Sequence, residues 1–154
     1  MADRYWVGGT ATWDGTAGTK WALTSNGTGG QAVPTASDDV YFDGASGAVT
    51  CTISGSRVCR SINTTGFTGT LAGTATPTLT VSGSMTLGSG MTLTFAGALT
   101  FNATTSGWTI TTNGISISSA TTFNGVSGAW TLGDAFTTTS TCTLTNGSLS
   151  LSSY

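Results

Sequence analysis

The residues able to carry acid–base or metal chemistry are few in this 154-residue sequence: six Asp, no Glu and no His. A nucleophilic triad lacks its base. A hydrolase of the two-carboxylate type would have to draw on Asp3, Asp14, Asp38, Asp39, Asp43 and Asp134. Only the run Asp38-Asp39-Val40-Tyr41-Phe42-Asp43-Gly44 brings carboxylates close together. If Val40 and Phe42 turn into a core, Asp39, Tyr41 and Asp43 share the outward face, from which a weak Ca²⁺ site could be made. Carboxylates at turns and edges without an ion are the commoner outcome, so no metal, no cofactor and no catalytic residue is expected. Cys51, Cys59 and Cys142 match neither a disulfide framework nor a CxxC metal pair, and are expected to be small buried hydrophobes.

Partners are limited by the same composition. Charged residues are 6% of the chain and the net charge is −2; Arg4, Lys20, Arg57 and Arg60 are scattered over the first sixty residues and form no basic stripe for nucleic acid. The longest apolar runs are three or four residues, far below the roughly 20 of a spanning helix, so no membrane segment is expected. Thr, Ser and Gly, at 35, 19 and 23 residues, make up half the chain, yet 38% of residues are hydrophobic and the aromatic ones recur at intervals. That apolar surface argues against disorder. Exposed rows of Thr hydroxyls could contact sugars, which makes a host-surface glycan a candidate partner; as a rule such rows are simply the solvent face.

The elements that must position these residues are strands. From residue 79 onward, apolar residues alternate with Thr or Ser in short runs such as Met91-Thr92-Leu93-Thr94-Phe95, Trp108-Thr109-Ile110 and Trp130-Thr131-Leu132. One face of each run is predicted to lie in a core and the other in water, since β-branched Thr favours a pleated, half-exposed surface. Residues 99–110 align with residues 121–132 at a shift of 22, with Phe101 over Phe123 and Trp108 over Trp130, and the same step carries Asn102 to Asn124 to Asn146. Equal steps are what stacked coils require, because each coil must lie about 4.8 Å above the last. The sequence therefore predicts an all-β chain: a parallel β-solenoid of about four 22-residue coils over 61–154, with Asn102, Asn124 and Asn146 as a structural ladder at one corner. A β-sandwich or jelly roll is the alternative, since residues 61–98 repeat less cleanly.

Residues 1–60 hold nine of the ten charges and three of the five Trp. They are predicted to form a capping and docking region, with Tyr5, Trp6, Trp13 and Trp21 as candidate capping or docking residues. The C-terminal coil, around Leu149 and Leu151, has no comparable cover. Covering that edge is expected to involve another subunit, with a homotrimer favoured, or further chain.

The string Arg4-Tyr5-Trp6-Val7-Gly8-Gly9-Thr10-Ala11-Thr12-Trp13, followed by Trp21, Val33-Pro34 and Ser37-Asp38-Asp39-Val40-Tyr41-Phe42-Asp43, resembles the opening of Gly/Thr/Ser-rich β-helical proteins of tailed bacteriophages. The likeness covers about the first 45 residues specifically. It implies a non-enzymatic virion protein, a fibre, appendage or capsid decoration subunit, with other virion proteins as partners. A weaker similarity to autotransporter passenger repeats implies instead a secreted bacterial adhesin at the cell surface, and the absence of a signal peptide leans away from it. A polysaccharide-degrading β-helical spike is the third expectation, disfavoured by a single Asp after residue 60.

Overall fold

A computed structural model describes residues 1–152. The chain is a parallel β-solenoid of about five turns, built as a three-sided prism. Two short strands, β1 (Asp3–Trp6) and β2 (Ala11–Trp13), open it, and β3 (Trp21–Ala22) folds back antiparallel onto β1. The first regular turn then supplies β4 (Asp39–Tyr41), β5 (Thr50–Ile53) and β6 (Ser56–Cys59), one strand to each face. The second repeats them as β7 (Ile62–Asn63), β8 (Thr70–Gly73) and β9 (Thr78–Val81), and the third as β10 (Met85–Thr86), β11 (Thr92–Phe95) and β12 (Ala98–Phe101). After β13 (Trp108–Thr111), the strands β14 (Thr121–Leu132) and β15 (Cys142–Leu151) each run around a corner and serve two faces.

The first face stacks β1, β4, β7, β10, β13 and the C-terminal parts of β14 and β15, all in parallel register. The second stacks β2, β5, β8 and β11 and continues as the bridge between Ile117 and Thr138. The third stacks β6, β9, β12 and the N-terminal parts of β14 and β15. No helix among the described residues is long and apolar enough to cross a membrane.

Period-2 alternation explains which side chains fill the prism. Val40, Ile62, Met85, Ile110 and Leu132 lie one above another inside the first face, and Cys59, Val81, Phe101 and Phe123 inside the third. The 22-residue step holds from Val40 to Ile62 and again from Ile110 to Leu132, but Met85 and Ile110 are 25 apart because the corner at residues 103–107 is longer. Phe101 and Phe123 stack with ring centroids 4.7 Å apart and planes 12° from parallel, as their spacing predicts. Trp108 and Trp130 are register partners too, but only Trp130 is fully buried. Trp108 begins its strand at the corner, where the rung before it offers Gly83 and no side chain to cover the ring, so it stays half-buried.

Residue 60 is not a structural joint. β6 and β7 belong to successive faces of one winding, so the coils begin at residue 39 and not at 61, and β1 and β2 are themselves parallel rungs on β4 and β5. What caps the stack is the excursion between β2 and β4. It seals the end by laying Trp21 against Trp6, Trp13 and Phe42 of the first rungs, and the four rings meet at centroid distances of 5.1 to 6.4 Å, mostly edge-on, as aromatic quadrupoles prefer.

Candidate functional site

Most carboxylates are committed to the backbone. Asp14 pairs with Lys20 at 2.8 Å and accepts from Thr16 N–H; the Lys20 bond, first among the causes, lowers its pKa. Asp43 caps the short 3₁₀ turn Gly44–Ser46, accepting from the N–H groups of Ala45 and Ser46. Asp134 accepts from the N–H groups of Thr112 and Asn113 one coil away, stapling that corner. Val40 and Phe42 are buried and Asp39, Tyr41 and Asp43 stay partly exposed, as the alternation predicts, but Asp43 is engaged by its own turn and Asp39 by Arg60. Among the described residues no group of three or more His, Cys, Asp or Glu side chains is placed to hold a metal.

Asp38 is buried and accepts from Ala2 N–H, Thr35 N–H and the Thr35 hydroxyl. Burial pushes its pKa up, but these bonds, with Arg4 nearby, outweigh it and hold the group below the ordinary 3.8. A depressed native pKa contributes stability that is fully present above the ordinary value and is lost as pH falls through the native one. The denaturant midpoint is thus expected to drop between about pH 5 and pH 2, and Asp38→Asn to flatten that drop while lowering the midpoint at pH 7.

The sequence-predicted residues divide. Trp6, Trp13 and Trp21 have no exposed surface; they cap the core and offer no indole to a docking partner. Tyr5 lies on the outside of the first face, its ring stacked on that of Tyr41 at 4.7 Å and 14°. Partial burial, followed by the nearby Asp3 carboxylate, raises both phenol pKa values. The Asn ladder is broken in two: Asn146 Nδ2 donates to Asn124 Oδ1 at 2.7 Å, while Asn102 Oδ1 accepts from Ser82 Oγ at 2.9 Å. All three Asn are exposed, so the ladder is an external seam. The glycines after it have different reasons. Gly147 adopts φ 92°, which favours glycine, whereas a Cβ on Gly125 would sit 1.9 Å from the carbonyl oxygen of Ala103 in the coil beneath.

Two cysteines match the buried reading and one does not. Cys51 and Cys59 are fully buried, and burial drives their thiol pKa far upward; Cys142 opens β15 on the last rung and is exposed because no further rung covers it. Since the thiolate is the nucleophile, iodoacetamide at pH 8 is expected to label Cys142 alone in the native protein and all three after unfolding, as read by intact mass.

Below the Tyr5–Tyr41 pair the first face carries a groove of about 190 Å³, lined by Asp39, Tyr41, Ser61, Asn63, Ser84 and Thr86 over the backbone of Val40 and Ile62. It exists because the outward column shrinks abruptly, from Tyr5 and Tyr41 to Asn63 and Thr86, at successive rungs. Asp39 forms an ion pair with Arg60 through Oδ2, leaving its buried Oδ1 without a hydrogen-bond partner. Of these residues only Asp39 and Tyr41 stand out in the sequence. The signal for the rest is the 22-residue step carried back from Asn63 to Tyr41. A second, apolar void of about 20 Å³ lies inside the core among Ile62, Leu71, Leu79 and Met85 and has no polar atom to hold a ligand but Ser119 at its edge.

These features define a three-sided parallel β-solenoid with an aromatic N-terminal cap and one polar groove on its first face. Comparison of the chain with protein-family models, with curated proteins and with solved structures finds no match.

Proposed function

We propose that this chain is a non-enzymatic structural protein of a bacteriophage virion, a fibre, appendage or capsid decoration subunit whose solenoid projects from the particle. The observation that carries the reading is how the polar residues are used. Asp14, Asp38, Asp43 and Asp134 hold turns and caps, Asp39 is neutralised by Arg60, and Thr hydroxyls such as those of Thr80, Thr100, Thr122 and Thr143 form an outward column along the stack. Such a body suits a rigid spacer better than a reaction centre. The opening string, with its likeness to phage β-helical proteins, supports the virion setting.

Assembly uses the other end. The outer edge of β15 is unpaired among the described residues, and Leu144 and Leu151 are 50% and 76% exposed there. Open strand edges of this kind are covered in working proteins because they otherwise template aggregation. A second copy, in a trimer by analogy with phage fibres, a neighbouring virion protein or a continuing C-terminal segment provides the cover. The test is mass spectrometry and immunogold labelling of particles purified from the phage whose genome encodes the chain, which should carry it in stoichiometric amount. Its absence from particles, or recovery on a bacterial surface, overturns the reading, and light scattering showing a stable monomer overturns the trimer.

A further inference from the structure

We propose that the groove below Tyr41 on the first face is a binding site for a single pyranose ring of a neutral or terminal sugar. Tyr5 and Tyr41 stack along the axis of the prism, so Tyr5 covers one face of the Tyr41 ring and the other face looks toward the rung of Asn63. The large rings elsewhere in the stack, Trp6, Trp13, Trp21, Phe42, Phe67, Phe101, Phe123 and Trp130 among them, are buried. On this face the Tyr5–Tyr41 pair is a ledge above the smaller Asn63 and Thr86, with the half-buried Trp108 at the corner beyond.

The polar groups that line the groove are donors and acceptors, and its one charged lining residue, Asp39, is paired with Arg60. Asn63 Oδ1 accepts from Thr65 N–H at 2.9 Å, so that oxygen is used locally and the amide Nδ2 has no partner among the described residues. The hydroxyls of Ser61 and Ser84 accept from the N–H groups of Ser84 and Thr109, which leaves each O–H free to donate. Asp39 Oδ2 is taken by Arg60, and its Oδ1 is buried beneath the groove surface.

The ligand chemistry follows by elimination. Phosphate or another anion would meet the Asp39 carboxylate beside Arg60, and Asp3 in register with Asp39. An extended peptide needs an open strand edge, but the strands of this face are paired on both sides. An apolar ligand would strand the amide and hydroxyls. A sugar ring has an aliphatic C–H face for Tyr41 and hydroxyls that accept from the Asn63 amide and the serine O–H groups, and a groove of about 190 Å³ suits something smaller than drug-sized ligands. This site is independent of the virion reading, since it concerns what the solenoid surface holds and not where the chain is assembled.

The experiment is a ¹⁵N-HSQC titration of the full chain with glucose, galactose, rhamnose and N-acetylglucosamine. At least one should give saturable shifts confined to residues 5, 39–41, 61–63 and 84–86, with Kd on the order of 1 mM, as expected for few contacts. Tyr41→Ala should weaken that binding about tenfold or more, whereas Thr131→Ala, on the same face but remote, should leave it unchanged. Asn63→Asp keeps the acceptor for Thr65 and removes the donor; it should also weaken binding about tenfold, and it serves if Tyr41→Ala fails to fold. No saturable shift with any of the four sugars overturns the proposal, as does binding that survives the substitution at Tyr41, or at Asn63 where that variant serves.

Discussion

Trp130→Ala is expected to lower the unfolding free energy by about 3–5 kcal/mol, and Thr131→Ala by well under 1 kcal/mol, although the two residues are adjacent. Trp130 is 1% exposed, its ring meets Phe123 and Phe101 edge-on at 5.2 and 6.3 Å, and its Nε1 donates to the carbonyl of Gly83 at 3.3 Å. Truncation removes the largest side chain of the C-terminal core layer, leaves the Phe pair with no edge partner, and strands a buried carbonyl. β-Strands on either side cannot close in, because the register of each rung is fixed by its neighbours, so the cavity stays open. Thr131 faces outward and loses only a hydroxyl and a methyl group. Urea midpoints at constant m-value measure the difference. Equal shifts for the two variants would show that β14 is inverted.

Trp6→Ala is the second large effect, expected at about 3–5 kcal/mol and confined to the other end of the molecule. The Trp6 ring lies 5.1 Å from Trp21 and 5.6 Å from Phe42, and its Nε1 donates to Gly9 O at 3.0 Å. Its own carbonyl accepts from Ser46 Oγ at 2.8 Å, tying β1 to the 3₁₀ turn. The indole thus holds the cap, whereas the Ser46 bond is to the backbone and survives the substitution. Trp13→Ala should cost less, since the Nε1 of Trp13 is buried without a partner and its removal relieves a penalty. Hydrogen exchange separates the two effects from a global one. In Trp6→Ala the amides of β1 and β4 should lose protection first, while those of β12 and β14 keep theirs; uniform loss would mean that the stack unfolds as a single unit.

How much of this was legible depends on the spacing. Phe101, Phe123 and Asn124 sit in coils whose corners have equal length, so identical residues recur at 22 and the stack can be read off. Residues 61–98 look irregular because their turns differ in length: register partners are 23 apart at Ile62 and Met85, 22 apart at Leu71 and Leu93, and 20 apart at Leu79 and Leu99. The first rungs are hidden more deeply: Asp3 pairs with Asp39 and Ala11 with Cys51, steps of 36 and 40, because the capping excursion is inserted between them. No periodicity survives such an insertion. The groove was half legible for the same reason. Asp39 and Tyr41 were marked by residue type, whereas Ser61, Asn63, Ser84 and Thr86 gain meaning only when the coils beneath Tyr41 are in place. The burial of Trp6, Trp13 and Trp21 is set by mutual contact across sequence distances that alternation does not encode.

The uniform direction of the rungs makes the molecule a ruler. Because successive strands on each face run parallel and in register, inserting or deleting one whole coil would lengthen or shorten the prism by about 4.8 Å and leave its cross-section and every remaining side-chain column in line. Fractions of a coil are not allowed, since a slip would move a core residue to a different face. Length in such a protein can change only in steps, and each step adds one more outward residue to every column.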